Sequence, residues 1–596
     1  MNNNQGQVVL VRDLVPGENS SFPRNFVEFE DKLYFAGDNG RSGEELWVSD
    51  GTKGGTKLLV DIYPGVNTYS SENGGDDSDS PYIIPNVSYP QDFAKFNDRL
   101  YFSADDGENG RELWVSDGTA KGTQLLADIN DGENDLGIAY SSYPQDFAEF
   151  NDKLYFSADD GENGDEVWVS DGTTEGTKLL LDINPGSDDS VYNNSYSANR
   201  SSPGNFIEFD NKLYFTADDG ENGDELWVSD GTTEGTKLLL DINSEVVSQY
   251  YDFAFGSYAD NFIEFNDKLY FSADDGKNGD ELWVSDGTTE GTKLLLDIYP
   301  GDSEYASFNS SPDNFIEFNN KLYFSANDGE NGRELWVSDG TTEGTQMLLD
   351  IYQGSDYGYV NSSFPSGFVE FEGKLYFSAD DSDSGRELWV SDGTSEGTSL
   401  AANINLEIDD FGNDFSSNPR DLTVVGDELF FSADNSKVGN ELFKLTIPTS
   451  QDIDRENNKG KLPNGILLKG KGNEPLNGGV GADTLAGSSV DDEIIGRGGN
   501  DILIGEGGED RFYGGSGEDT LIGGPGADIF ILQPGKGEDV IVDFQQGRDR
   551  LALAGGLRFP ELSFNRGSIR VGDETLATLL DFDAEITIED FTTIQQ

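Results

Sequence analysis

From Asn261 to Ile298 the chain reads NFIEFNDKLYFSADDGKNGDELWVSDGTTEGTKLLLDI, four short apolar or alternating runs (NFIEF, KLYFSA, ELWVS, TKLLLDI) separated by ND, DDGKNG and DGTTEG. Such runs, rich in aliphatic and aromatic side chains and bounded by Asn, Asp and Gly, predict strands joined by tight turns. No unit holds the roughly 10 to 15 residues of 3.6-residue periodicity that a helix needs. A four-stranded antiparallel meander follows. The unit recurs along the chain, and all seven tryptophans fall in it, at Trp47, Trp114, Trp168, Trp227, Trp283, Trp336 and Trp389. Their spacing, from 53 residues (Trp336 to Trp389) to 67 (Trp47 to Trp114), is that of a propeller blade. An eighth copy carries Phe443 in the Trp position.

The fourth-strand pattern occurs only seven times, because the last unit, Leu422 to Leu445, stops after three strands. VVLVRDLVPG, Val8 to Gly17, matches TKLLLDIYPG without the first three strands. The missing strand is thus at the start of the chain, and joining the two ends removes exposed sheet edges. The expectation is a closed eight-bladed propeller over residues 1–446. A Trp at one strand position of every blade reads as inter-blade core, and SDGT as turn chemistry. The acidic loop between second and third strands (Asp105, Asp106, Glu108, Asn109, Glu112; Asp218, Asp219, Glu221, Asn222, Asp224, Glu225) offers many oxygens for Ca²⁺, but its spacing favours an acidic hairpin turn. It shares a face with long variable connections such as Pro64 to Gln91 and the Tyr/Ser-rich Asp188 to Ser202. Recognition, if the scaffold has any, is expected there.

Composition sharpens the picture. With 115 acidic against 38 basic residues, the formal net charge is −77, which excludes nucleic acid as a partner. Aromatic residues reach 12%, too many for a disordered acidic chain, so the charge sits on a fold that cations assist. There is no cysteine and no histidine. Disulfides, thiolate sites and imidazole chemistry are thereby excluded. Carboxylate pairs could serve a carbohydrate-active enzyme, a glycosidase or lyase, but the acids repeat around the ring and none stands out, so no enzymatic activity is expected. No apolar stretch is long enough for a membrane span, and none is amphipathic in the manner of a cytolysin, which disfavours a toxin. MNNNQGQVVLVRDLVPG lacks the basic and apolar regions of a signal peptide.

A polar linker, 447–468, follows, and then the period changes to nine. From Gly478 the chain reads GGVGADTLA, GSSVDDEII, GRGGNDILI, GEGGEDRFY, GGSGEDTLI and GGPGADIFI. Asp483, Asp492, Asp501, Asp510, Asp519 and Asp528 hold the sixth positions. Leu485, Ile494, Leu503, Phe512, Leu521 and Phe530 hold the eighth and point into a narrow roll whose full turn is two nonads. Glycines permit turns that face carbonyls inward, and Asp adds the charge that Ca²⁺ needs among its hard oxygens.

At ELWVSDGTTEGT the chain resembles the bacterial ELWxxDGT repeat family from Val8 to Leu445, whose usual setting is large exported or surface proteins. The nonads resemble RTX calcium-binding repeats, from about Gly470 to Leu551, and the two resemblances together imply an all-β protein: an eight-bladed β-propeller followed by a parallel β-roll (RTX) over 469–550. The RTX resemblance also implies ligands: carbonyls of the second and fourth residues with the Asp of one nonad, and of the first and third with the Asp two nonads on. One site would use Gly479, Gly481, Asp483, Gly496, Gly498 and Asp501; the next Arg497, Gly499, Asp501, Gly514, Ser516 and Asp519. On the opposite edge are Glu506, Gly508, Asp510, Gly523, Pro525 and Asp528, and a site on Ser488, Val490, Asp492, Gly505, Gly507 and Asp510 in which Val490 replaces a glycine. The worn nonad KGKGNEPLN, with Glu474, is expected to cap the roll. The remainder, 551–596, resembles the β-rich end of RTX proteins, which implies a type I secretion signal. The expected protein is secreted and calcium-binding, a cell-surface or matrix component whose propeller meets a polysaccharide or a surface protein.

Overall fold

The computed structural model describes residues 7–17, 19–69, 82–134, 136–188, 197–244, 255–301, 307–356, 359–381, 384–405, 415–446, 467–469, 476–478, 484–488, 490–534, 536–565, 567–572, 574–579 and 586–592. Two compact units emerge, Leu10–Lys444 on one side and Leu445–Gln596 with Met1–Val9 on the other. The division falls inside two strands, Gln7–Arg12 and Gly439–Thr446, that belong to one sheet.

Eight four-stranded antiparallel sheets make up the first unit. Numbered by their first strands, the blades begin at Arg24–Phe29, Gln91–Phe96, Gln145–Phe150, Gly204–Phe209, Asp260–Phe265, Asp313–Phe318, Ser366–Phe371 and Arg420–Val425. In blade 5, Asp260–Phe265, Lys268–Asp274, Asp280–Ser285 and Lys293–Leu296 follow in order, with Phe271 opposite Trp283. Each first strand touches the first strands of both neighbours, from blade 1 round to blade 8 and back. These strands are therefore the innermost, and the ring is a closed propeller. Blade 8 takes its outer strand, Gln7–Arg12, from the start of the chain.

Stacking of blades explains the apolar second and third strands. Each sheet is covered on both faces, so alternation gives way to continuous burial: Leu269, Tyr270, Phe271 and Ala273 are all buried. Phe209, Tyr214, Leu226 and Val228 of blade 4 pack on Leu269, Phe271, Ala273 and Trp283 of blade 5. All seven tryptophans are buried core residues. The Tyr214 hydroxyl donates to the Gly287 carbonyl of the next blade (3.3 Å). Gly287 has φ +82°, and a Cβ there would lie 2.5 Å from that hydroxyl, so only glycine fits.

The second unit is a parallel β-solenoid. One sheet stacks Thr484–Ser488, Ile502–Glu506 and Thr520–Ile522; the other stacks Glu493–Gly498, Arg511–Ser516 and Ile529–Leu532. Leu485 lies beside Leu503 and Leu503 beside Leu521, while Ile494, Phe512 and Phe530 form the facing column. Both columns are fully buried, which makes the rung eighteen residues, the two nonads read from the sequence. Downstream, Asp539–Ile541 and Arg550–Leu553 extend the two sheets, and the antiparallel strands Leu562–Asn565, Ser568–Val571 and Glu574–Leu579 close one of them. Upstream, Leu467–Lys469 pairs with residues 484–486 and Leu476–Asn477 with residues 494–495, so the roll already begins at the end of the expected linker and within the worn nonad; residues 447–466 and Glu474 lie outside the described residues.

Candidate metal centre

Register stacks the aspartates as it stacks the core. The backbone N–H of Asp492 donates to Asp510 Oδ1 (2.8 Å), that of Asp501 to Asp519 Oδ1 (2.8 Å) and that of Asp510 to Asp528 Oδ1 (3.0 Å). All five carboxylates from Asp492 to Asp528 are buried. One oxygen of each stacked pair thus holds the next rung. The other, Oδ2 in Asp510, Asp519 and Asp528, is out of water and without a hydrogen-bond partner. A buried charged oxygen in that condition is unfavourable unless something neutralises it.

The surroundings of these oxygens are fixed by glycine. A Cβ on Gly505 would collide with Asp510 Oδ2 and lie 2.5 Å from the Gly523 carbonyl oxygen; one on Gly523 would lie 2.5 Å from Asp528 Oδ2. Gly496 and Gly514 stand in the same relation to Asp501 and Asp519. Each turn therefore brings a carboxylate oxygen against the first residue of its own nonad and, at Gly496 and Gly505, a carbonyl of the next rung. Arg497, at a second position, is exposed with φ +72°, Gly499 has φ +110° and Gly508 φ +119°, left-handed conformations that turn the backbone in the manner glycine permits. Ser516 and Pro525 are exposed, Gly498 is buried, and Gly507 is half-buried on its turn. Glu506 ends the strand Ile502–Glu506. Gly479, Gly481 and Asp483 lie outside the described residues. In the nonad that keeps only its first glycine, Gly487, the Val490 side chain is exposed, and Asp492 keeps its place in the ladder.

Electrostatics agree with an unneutralised ladder. Burial, helped by the charges of Asp528, Asp492 and Asp491, pushes the Asp510 carboxyl up to about 7 against its hydrogen bond from Asp492. Burial raises Asp528 to about 6, with Asp549 and Asp543 adding repulsion. Two residues that sequence spacing missed extend the ladder. The N–H of Asp519 donates to Asp539 Oδ1 (3.4 Å) and that of Asp528 to Asp549 Oδ1 (3.2 Å), and Asp539 is pushed up to about 8 by burial and by Asp519. Their steps are 20 and 21 residues instead of eighteen, so counting by nines passes over them; an acid before an apolar pair, EDVI and RDRLAL, was the available signal. Among the described residues no three acidic side chains converge as a ready-made metal cluster. A cation here has to draw on carbonyls as well as carboxylates. That donor set, all oxygen, is the one Ca²⁺ prefers.

The acidic loops of the propeller are different. Asp275 Oδ1 accepts the N–H groups of Lys277 (2.9 Å) and Asn278 (2.8 Å), and Oδ2 accepts Asn278 Nδ2–H (2.8 Å); Asp106, Asp160, Asp219 and Asp328 repeat the arrangement. Their carboxylates are spent on the turn. Asp286 likewise accepts from Thr288 N–H (3.0 Å) and Oγ1–H (2.6 Å).

One acid per blade, read from sequence only as the end of the acidic loop at Glu112 and Glu225, has a different place in the fold. Glu45, Glu112, Glu166, Glu225, Glu281, Glu334, Glu387 and Glu441, one per blade beside the buried Leu or Val of the third strand, are fully buried. Glu281 accepts Ile298 N–H (2.6 Å), Ser310 N–H (3.0 Å) and Ser310 Oγ–H (2.6 Å). It pins the exit of its own fourth strand to the connection that enters the next blade. Burial raises it to about 7, opposed by these donors. Its recurrence in all eight units was the signal.

The RTX calcium-binding nonapeptide repeat family matches in four copies, at residues 470–503, 477–512, 495–530 and 504–541. This segment therefore carries RTX calcium-binding repeats. No curated protein matches the chain. Among solved structures the chain is similar to a puromycin hydrolase (11% identity, TM-score 0.38, covering 73% of this chain and 61% of that one). It is also similar to BamB from Moraxella catarrhalis (11%, 0.36, covering 74% and 99%) and to the Pyrococcus horikoshii acylaminoacyl peptidase (11%, 0.33, covering 77% and 61%). The chain thus spans under two thirds of the length of the puromycin hydrolase and of the acylaminoacyl peptidase.

Proposed function

We propose that the protein is an exported calcium-binding component of a cell surface or extracellular matrix, in which Ca²⁺ orders the roll and the propeller is a rigid, non-catalytic platform. The observation that carries this reading is the set of buried, partnerless Oδ2 atoms on Asp510, Asp519 and Asp528, each against a glycine. Asp501, Asp510, Asp519 and Asp528, with carbonyls such as those of Gly514 and Gly523, would hold the ion. Asp510 and Asp519 would each serve two sites, because each is stacked with an aspartate on both sides. Bound Ca²⁺ supplies the positive charge the ladder lacks. Export through a type I channel, directed by the C-terminal segment, fits this chemistry, since extracellular modules bind Ca²⁺ at roughly 10⁻⁴ to 10⁻³ M and remain empty at cytosolic levels. The non-catalytic reading is supported by the eight equivalent glutamates, none of which is set apart as an acid or nucleophile.

Circular dichroism of the full chain during Ca²⁺ titration tests the proposal. A reversible gain of β signal with a sub-millimolar to millimolar midpoint, undone by chelator, is expected. A chain whose spectrum and unfolding profile are the same in excess chelator and in Ca²⁺ overturns it.

A further inference from the structure

Between blades the chain makes the same elbow eight times. Its first residue is the buried serine tied to the preceding blade's glutamate, as Ser142 Oγ–H is to Glu112 (2.5 Å). The next residue is held at a left-handed φ of +44° to +48°: Phe22, Tyr89, Tyr143, Ser202, Tyr258, Ser311, Phe364 and Asn418. Such φ values are rare for bulky residues. All five aromatic members are exposed, Tyr143 by 59% and Tyr258 by 63%. The elbow serine accepts from the last residue of a second strand, as Ser88 does from Asp105 (2.9 Å), so every elbow lies where the innermost strand of its blade begins.

The first residue of each third strand decides what sits beside the elbow. In blades 2, 6 and 7 it is arginine. Arg111 donates to the Tyr89 carbonyl (2.7 Å), Arg333 to that of Ser311 (2.8 Å) and Arg386 to that of Phe364 (2.7 Å). Arg111 and Arg24 also stand over the Tyr89 ring, each 5.8 Å from its centroid. In blades 3, 4 and 5 the same position is Asp165, Asp224 and Asp280. A carboxylate cannot donate to the elbow carbonyl. Asp165 Oδ1 accepts from Ser157 Oγ–H (2.5 Å) and the Asp280 carboxylate from Ser311, but Asp224 Oδ1 and Asp280 Oδ1 are out of water and have no hydrogen-bond partner, and Asp146 and Asp260 of the innermost strands add like charge nearby. Among the described residues, Arg200 is ion-paired here with Asp159 (3.2 Å) and Arg333 with Asp313 (3.1 Å), while Arg111, held on the Tyr89 carbonyl, lies within electrostatic reach of Tyr143. Among the described residues no cation stands over Tyr143 or Tyr258 as Arg111 stands over Tyr89.

We propose that blades 3 to 5 bind an external guanidinium or ammonium group where blades 2, 6 and 7 hold their own arginine, between Asp165, Asp224 or Asp280 and the neighbouring elbow. Tyr143 and Tyr258 are its cation–π faces. The group is carried by a basic peptide side chain or by a polyamine, and the net charge of −77 steers it in. The site rests on the platform reading of the propeller but not on calcium in the roll. A roll indifferent to Ca²⁺ leaves it standing, and a propeller that binds no cation leaves the roll reading intact.

The test is isothermal titration calorimetry on the full chain in excess Ca²⁺ at about 0.15 M salt, with blocked tetra-arginine, spermidine and blocked tetraglycine. Saturable binding of a cationic probe and none of tetraglycine is expected; tetra-arginine alone assigns a peptide, spermidine alone a polyamine. The pair Asp224→Asn with Asp280→Asn raises Kd at least about tenfold, whereas Glu175→Gln with Glu234→Gln, removing two charges from exposed turns between third and fourth strands, changes it less than about twofold. Asp280→Arg, which gives blade 5 the arginine of blade 6, weakens binding as well, while its tryptophan-detected unfolding stays near the parent's. No saturable binding of either cation, equal losses in the two double variants, or stoichiometric displacement by Ca²⁺ overturns the proposal.

Discussion

Replacing Glu281 with alanine removes the acceptor of the buried Ile298 N–H and one of the two acceptors of Ser310 N–H and Ser310 Oγ–H, which also reach the Asp280 carbonyl (3.1 and 3.3 Å). Each orphaned donor costs about 1 to 3 kcal/mol. Ser310 keeps the Asp280 carbonyl for both of its donors, so the Ile298 amide dominates, and a loss of about 2 to 3 kcal/mol is expected. Glu281→Gln keeps one acceptor but turns an N–H₂ toward an N–H, and should lose about 1 to 2 kcal/mol. Urea unfolding followed by tryptophan emission reads the propeller alone, because every tryptophan lies between Trp47 and Trp389. The pH dependence carries a sign. Burial lifts the folded carboxyl to about 7 from the ordinary 4.5, so the folded state holds its proton more tightly than the unfolded one. The parent's advantage over Glu281→Gln is therefore full below pH 4.5 and is lost as pH rises through about 7. A Glu281→Ala loss under about 1 kcal/mol, or a parental advantage that grows with pH, would refute the reasoning; the second result would mean that the three donors outweigh burial and favour the ionised form.

Deleting residues 1–17 strips blade 8 of its outer strand, of buried Val11 and Leu14, and of the Leu14 N–H bond to Glu441 (3.0 Å); the tryptophan-detected midpoint should fall and concentration-dependent aggregation should appear, and a truncation that melts like the parent contradicts closure. Gly505→Ala puts a methyl against Asp510 Oδ2 and the Gly523 carbonyl and should abolish the Ca²⁺-induced β signal while leaving tryptophan-detected unfolding in place. Asp510→Asn should raise the Ca²⁺ midpoint at least about tenfold, far more than Glu509→Gln at the exposed neighbouring position; equal shifts would mean that overall charge, not this carboxylate, governs affinity.

Much of this was legible from residue order alone. The Trp register and the three-strand last unit disclosed the propeller, because a blade's core position repeats and a ring has to account for every strand. The nonads disclosed the solenoid, since a rung of eighteen places leucine on leucine and aspartate on aspartate. What escaped the reading depends on three-dimensional neighbours. Glu281 follows an acidic residue at the head of a strand and looks solvent-facing until the next blade's serine arrives. Asp539 and Asp549 join the ladder through longer turns that preserve rung height but not residue count. Tyr89 and Tyr143 share the run SYPQDFA, but the exchange of arginine for aspartate beside such elbows becomes visible only in the fold.

The clasp in blade 8 also sets a timetable. Residues 7–12 pair with residues 439–446, made more than four hundred residues later. At roughly 5 to 20 residues per second of synthesis, the opening strand waits on the order of 20 to 90 s for its mate, a valine-rich segment in search of an edge while seven complete blades assemble behind it. Growth of the ring is thus gradual and its locking abrupt, and a ribosome that stops short of residue 439 releases a chain that has nearly every blade and no lock.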